Sequence, residues 1–501
     1  MVFKYRLNYN KQLIIIMRRH FLGALLFAGT LAFTACQNET IIYVDENGNP
    51  IENVELKEGE GLLKINLSNT SANSRAVRPV GSSAAANNVN VVKIYAFKGA
   101  NNASGNSDYK FDASIGVTTA DNVSAASGVI TITNFTSTAG EHEVTEDSWE
   151  DHTDQTKTIK LTGLAVNSKY KFVAVGYNVA NPVSNTDNPY GEPSLTDKTT
   201  TLEYFTTNAL ASGKTDYAIE ELFAGVSAEN ATQADKGSFN TPASVTLTRQ
   251  VAGMLGYFDN VPTKINGSVV KYVRVYANDE YTTFKWPAQL LGTGSPFNGD
   301  TRATAGEGET QDSKYLLMEF DMSKIATNWN SDSPSEDTYT FSSFGENGAT
   351  GTETAGNQIG STVGSKAPLA TGYTAPAGLK LVANSIFGGR YIIPYADHVA
   401  SQTLTVELQG TDSKALKTLK VVIEDSKVPT SASKYAYDIR CNNFYSIGKK
   451  LYTDNTGGDP DPDPTPGTDD PDEPIDLSSN TNIVVIINDA WEVLHNMGVE
   501  E

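Results

Sequence analysis

Cysteine is almost missing from this chain. Its 501 residues hold two, Cys36 and Cys441, so no disulfide framework can staple the fold. Histidine is nearly as scarce: His20, His142, His152, His398 and His495. None stands in an H-E-x-x-H pattern, and there is no paired-cysteine or P-loop motif. His142 and His152 share an acidic loop but lack a cluster of further ligands. Positive charge is short as well. Lys and Arg number 38 against 59 Asp and Glu, for a net charge of −21, a field that repels nucleic acid. Long apolar runs are missing: Phe21 to Phe33 is too short to span a bilayer well, and no other segment approaches that length. Helical periodicity is confined to two candidates, Gly213 to Gly225 and Trp286 to Leu291. No repeat of solenoid or propeller length is visible. Ser431-Ala432-Ser433-Lys434 matches S-x-x-K without the companion motifs of a β-lactamase. Asp459 to Asp463 superficially suggests a calcium loop, but Pro464 stands where glycine is required and no helices flank it. No enzymatic activity, metal or cofactor is expected.

What is present points outward from the cell. Apolar residues make up 39% and charged residues 19%, with abundant Gly, Ser, Thr and Asn, the profile of an extracellular β-rich protein. Met17-Arg18-Arg19-His20 is a basic start, Phe21 to Phe33 an apolar stretch, and Thr34-Ala35-Cys36 a small-residue close. That is a secretory signal, initiated at Met17, with Cys36 at the cleavage site as in a bacterial lipobox. Acylated Cys36 would tether the mature chain to a membrane. Cys441 reads as a buried small apolar residue.

Residues 37–60 read as a polar stem with a turn at Glu46 to Pro50. Leu63, Ile65 and Leu67 then alternate with Lys64, Asn66 and Ser68, a strand with one apolar face. The loop after it carries Arg75 and Arg78. Further strands are expected at Val89–Phe97, Val129–Thr133, Lys157–Leu164, Tyr170–Tyr177, Val245–Ala252, Met254–Phe258, Val269–Tyr276, Tyr315–Phe320, Leu379–Val382, Tyr391–Pro394, Leu404–Leu408 and Leu416–Ile423. Turn residues separate them at sandwich-like intervals. The fold class is therefore all-β: two tandem β-sandwiches, 76–241 and 242–452. A signal peptide (1–35) and a lipidated propeptide with the first strand (36–75) precede them. Low-complexity loops are expected at 293–312 and 328–366, and Tyr435 to Tyr452 is the last body segment.

The chain ends on its most informative feature. An Asp/Pro-rich linker (453–481) carries eight acidic and no basic side chains between Asp459 and Asp476, and is expected to stay outside any packed domain. It leads to a terminal segment (482–501) opening on Ile483-Val484-Val485-Ile486-Ile487 and continuing to Trp491. Five branched aliphatics in a row form a strand that needs partners on both faces, and one left in water is an aggregation hazard. It could fold back as the last strand of its own domain. The linker favours the other destination, a neighbour's sheet that lacks a strand. The triplets Ile483-Val485-Ile487 and Leu63-Ile65-Leu67 share period and approximate volume.

These segments together resemble the fimbrillins of Bacteroidetes. Val245-Thr246-Leu247-Thr248-Arg249-Gln250-Val251-Ala252 resembles the opening of their second domain. Arg440-Cys441-Asn442-Asn443-Phe444-Tyr445-Ser446-Ile447 is similar to their last core strand. The linker with Ile483 to Trp491 resembles the C-terminus of the minor-fimbrium shaft subunits of oral species, except that Ala490 stands where relatives often have proline. The resemblance implies transthyretin-like sandwiches and a lipoprotein precursor at the outer membrane. It implies an arginine-specific protease cutting after Arg75, leaving Ala76 as the new N-terminus, with Arg78 as runner-up because Pro79 resists cleavage. Leu63, Ile65 and Leu67 would leave with the lipid. Ile483, Val485, Ile487 and Trp491 of a neighbouring subunit would fill the groove and build an extracellular type V fimbria that supports adhesion. The chain would be a shaft subunit, with other fimbrial subunits as partners. Two alternatives stand: a fimbrial tip adhesin, and a surface glycan-binding lipoprotein of a polysaccharide-uptake system. The latter would end on a folded module with an aromatic sugar platform.

Overall fold

A computed structural model describes residues 43–44, 50–51, 56–68, 89–118, 122–135, 154–179, 181–182, 184, 186–188, 190–204, 221–277, 281–285, 299–302, 315–332, 334–341, 361–362, 384–395, 404–424, 439–448, 474–478 and 483–488. The chain divides into two compact units, Met1–Glu55 and Leu56–Glu501. In the first, Tyr43–Val44 pairs antiparallel with Pro50–Ile51, on either side of the turn expected at Glu46 to Pro50.

The second unit is built on two large sheets. The strands of the first are β1 (Gly61–Ser68), β2 (Val91–Ala100), β3 (Val123–Ala126), β4 (Val129–Thr133), β5 (Asp154–Thr162), β6 (Ser168–Tyr177), β7 (Leu222–Val226) and β8 (Ala243–Arg249). Starting from a short edge strand, Gly116–Val117, their order is β5-β1-β8-β7-β6-β2-β4-β3. β8 pairs with β1 along Ala243–Leu247 but reaches β7 only through Thr248 and Arg249. The sheet therefore turns a corner there and closes as a sandwich. The crossing is tight: a Cβ on Gly225 of β7 would lie 2.0 Å from the Thr246 carbonyl oxygen, so only glycine fits.

Strands of the second sheet are β9 (Ala252–Asp259), β10 (Tyr272–Ala277), β11 (Tyr315–Asp321), β12 (Ser385–Ile392), β13 (Leu404–Gln409), β14 (Ala415–Glu424), β15 (Phe444–Ile447), β16 (Ile475–Asp476) and β17 (Ile483–Asn488). From a short edge strand, Ser361–Thr362, the order is β11-β10-β13-β14-β17-β15-β9-β12, with β16 beside β9. Phe258 of β9 and Phe320 of β11 lie far apart in that order yet meet edge-to-face at 5.8 Å. This sheet too folds over its own core. The all-β tandem-sandwich class is as expected.

β2 shows why the sandwiches stack. Val92, Ile94 and Ala96 face the first core, with Leu63, Ile65 and Leu67. The alternate positions Val91, Tyr95 and Phe97 pack in a second cluster with Val251, Tyr257, Tyr391 and Ile393 of the other sandwich. A strand buried on both faces reads as a near-continuous apolar run; in β2 that run is broken by Lys93, whose ammonium is paired with Glu192.

Three expectations are corrected. Leu222–Gly225, read as the end of a helix, is β7, because pairing with β6 and β8 outweighs local propensity. The stretch after residue 328 is partly core: Tyr339 is buried, donates to the Val270 carbonyl at 2.6 Å and stacks on Trp329. Sparse aromatics in a polar run hid it. Of Tyr391 to Pro394, only Tyr391 and Ile392 are strand, the end of a longer one that starts at Ser385. Trp286–Leu291 and Leu379–Val382 fall outside the described residues.

Candidate functional site

Strand β1 is the first half of the site. Its chain enters through Gly59, whose N–H donates to the Lys236 carbonyl at 2.8 Å and whose own carbonyl accepts from Leu164 at 2.9 Å. Leu63, Ile65 and Leu67 are then fully buried. On the other face Asn66 links three strands, donating to Ser244 Oγ and accepting from Thr156 Oγ1, both at 3.0 Å. β1 lies between two unlike neighbours. It runs parallel to β8, with Leu63, Ile65 and Leu67 opposite Ala243, Val245 and Leu247. It runs antiparallel to β5, with Leu63 opposite Ile159.

Strand β17 is the second half. It also lies between one parallel and one antiparallel neighbour. Ile483 and Val485 stand opposite Val421 and Ile423 of β14, running the same way. Val485 and Ile487 stand opposite Ile447 and Tyr445 of β15, running the other way. Val421, Tyr445 and Ile447 belong to the second core, so the triplet occupies core-facing register rows. The favoured destination, a neighbour's sheet, is not the one seen in the single chain: the strand folds back into its own second sheet, where β14 and β15 offer edges of the right polarity.

The linker's end is corrected too. Ile475 and Asp476 pair alongside β9 as the parallel strand β16, opposite Phe258 and Asp259. Leu477 is fully buried, and Lys417 Nζ donates to its carbonyl at 2.8 Å. Two apolar residues spaced for one strand face are enough to dock it.

This clasp carries an electrostatic penalty. Asp259 Oδ1 is buried with no hydrogen-bond partner. Asp476 lies opposite it, accepting from the Ser478 N–H at 2.8 Å and Oγ at 2.6 Å. Burial, then the Asp476 carboxylate, push the Asp259 pKa up from 3.8 to about 6. Lys417 interacts with Asp476 on the same clasp; burial lowers its pKa and Asp476 raises it. Because folding raises the pKa of Asp259, its contribution to stability is full below pH 3.8. That contribution is lost as pH rises through about 6. Asp259→Asn should therefore stabilise the chain at pH 7.5 by about 1 kcal/mol, after discounting for partial exposure. The difference from the parent should vanish near pH 4. Urea unfolding of both proteins at the two pH values measures it.

A junction between the sandwiches joins two segments far apart in the chain, the end of β8 and the residues before β15. Arg249, at the end of β8, and Glu221 are almost fully enclosed, with Nε donating to Oε1 at 2.9 Å. Arg249 Nη1 also donates to Asn442 Oδ1 at 2.6 Å, and the guanidinium lies over the Phe223 ring. Asn442 N–H donates to the Val251 carbonyl, and Gly253 N–H to the Asn443 carbonyl, each at 3.0 Å. The arginine thus fixes the residues that lead into β15, one wall of the β17 slot. Cys441 lies here, its Sγ 3.5 Å from the Gln250 carbonyl oxygen. Burial pushes its thiol up to about 12.

Cys36, Arg75, Ala76, Arg78 and Trp491 lie outside the described residues. Among the described residues no group of three or more His, Cys, Asp or Glu could hold a metal, and no helix is long and apolar enough to cross a membrane.

No family model matches the chain, and no curated protein matches it. Several solved structures are similar. A proposed cell adhesion protein from Bacteroides eggerthii is 12% identical, with 86% of this chain and 96% of that one covered at a TM-score of 0.32. The fimbrial anchor protein Mfa2 from Porphyromonas gingivalis is 8% identical, with 77% and 89% covered at 0.27. A fimbrial assembly protein from Parabacteroides distasonis is 12% identical, with 72% and 98% covered at 0.23. At these scores the likeness assigns no residue a role.

Proposed function

We propose that this protein is a structural shaft subunit of a cell-surface fimbria that polymerises by protease-triggered strand exchange and supports adhesion. The observation that carries the reading is the match between two slots. β1 and β17 each run between one parallel and one antiparallel neighbour, and each has its apolar triplet in core-facing rows. A strand that satisfies one slot can satisfy the other without reversing direction.

In this reading the precursor is held at the outer membrane by acylated Cys36. An arginine-specific protease cuts after Arg75, or after Arg78, and residues 36–75 leave with β1 and the lipid. The first sandwich (76–241) is left with open edges on β8 and β5, and with a groove where Leu63, Ile65 and Leu67 lay. β17 of a neighbouring subunit, delivered by the linker, enters it with Trp491 as a further anchor. Burial of Ile483, Val485 and Ile487 contributes about 5–9 kcal/mol gross, and the main-chain ladders restore the hydrogen bonds of both edges. The second sandwich (242–452) spaces successive grooves along the shaft.

Limited tryptic digestion of the chain from Gln37 onward, followed by mass spectrometry and an SDS-resistant ladder assay, tests this. Cleavage after Arg75 with ladders is expected. Arg75→Gln combined with Arg78→Gln should remove both. Cut protein that sheds residues 37–75 and stays monomeric would overturn the proposal.

A further inference from the structure

β17 is an interior strand, between β14 and β15. Its departure would split the sheet, expose one edge on each neighbour, and uncover Val421, Tyr445 and Ile447. An open slot of that kind selects an extended apolar strand of one polarity. We infer that the slot between β14 and β15 binds the Ile483–Asn488 strand of a second copy, so that uncut chains can exchange C-terminal strands reciprocally. A second copy brings the same residues in the same register, so every contact made within one chain is reproduced between two.

The connection permits it. Beyond the end of β15, the chain runs through the Asp/Pro-rich linker before β16 docks. While β16 stays on β9, only residues 479–482 lead from the described end of the clasp to β17, too short a leash to reach another molecule. Once β16 lifts off, residues 449–474 are added. At about 3.1 Å per residue they reach roughly 80 Å as polyproline II. β16 is held through Ile475, Asp476 and Leu477, with Asp259 facing Asp476 across the pairing. It is the clasp that decides whether β17 stays home. This slot needs no proteolysis, unlike the groove under β1, so the inference stands apart from the fimbrial reading.

The test uses two uncut chains from Gln37 onward, one carrying Ser446→Cys and the other Ile486→Cys. These positions stand opposite each other in β15 and β17. After co-incubation under reducing conditions and then oxidation, a disulfide-linked heterodimer is expected, mapped to 446–486, with neither chain dimerising alone. Asp259→Asn in both chains should slow heterodimer formation several-fold at pH 7.5. A single chain carrying both substitutions reports independently that the register is right, by forming the bond within one molecule. No heterodimer where that internal bond forms fully would overturn the inference. Tryptic ladders without heterodimer would leave the fimbrial reading standing alone. Heterodimer without tryptic ladders would do the reverse.

Discussion

A chain carrying both Ser446→Cys and Ile486→Cys, cut after Arg75, will build no ladders while oxidised and will build them once reduced. The substitutions sit at facing positions of β15 and β17. Ser446 is buried and donates to the Gly448 carbonyl, and cysteine is nearly its isostere. Ile486 lies outside the Ile483-Val485-Ile487 rows, so the apolar triplet is untouched. A non-covalent strand can be withdrawn when a better slot opens; a covalently held one cannot. The expected loss is therefore all or none, at least 100-fold in the rate of ladder growth, corresponding to about 2.7 kcal/mol or more on the barrier. Cys441 should not scramble the bond. Its thiol, on a half-buried residue and pushed up by desolvation to about 12, is not a thiolate at assay pH. Ladders growing equally well in oxidised and reduced protein would mean that β17 is not the exchanging strand.

The second large effect concerns the buried junction. Glu221→Ala should destabilise the protein by about 3–5 kcal/mol, because it leaves the Arg249 guanidinium in a dry site without its carboxylate. Arg249→Ala should cost as much, with the stranded charge on Glu221 and with Asn442 Oδ1 also losing its donor. Replacing both together, as Arg249→Met with Glu221→Leu, should come within about 1–2 kcal/mol of the parent, since two matched apolar groups need no partner. Thermal unfolding reads this as a fall of about 6–20 °C for each single change and a few degrees for the pair. Equal losses in the single and paired variants would show that packing against Phe223, not charge pairing, governs the site. Because Arg249 braces the residues leading into β15, the single variants should also loosen the β17 slot. Amide exchange across Phe444–Ile447 would detect that.

Much of the first sandwich was legible because its signals are local. The alternation of Leu63, Ile65 and Leu67 with Lys64, Asn66 and Ser68 is a property of six consecutive residues, and β1 contains all of them. β4 was read at its observed bounds for the same reason. β3, with Ala125 and Ala126 exposed, has too little apolar contrast to stand out. β7 was misread because Leu222 to Val226 carries no period-2 pattern; it is apolar throughout, and its pairing partners are far away in the chain.

The candidate site divides in the same way. Local patterning is enough to make this an all-β chain whose final strand must be covered. It also marked the likeness of the first and last apolar triplets, since periodicity and volume are written into neighbouring residues. What covers the last strand, the clasp of Ile475 and Leu477 on β9, and the meeting of Arg249, Glu221 and Asn442 all arise from long-range packing. An apolar strand encodes its need for two edges but not which edges. That choice rests on polarity, register and proximity among β14, β15 and β9, which exist only once the distant parts of the chain have come together.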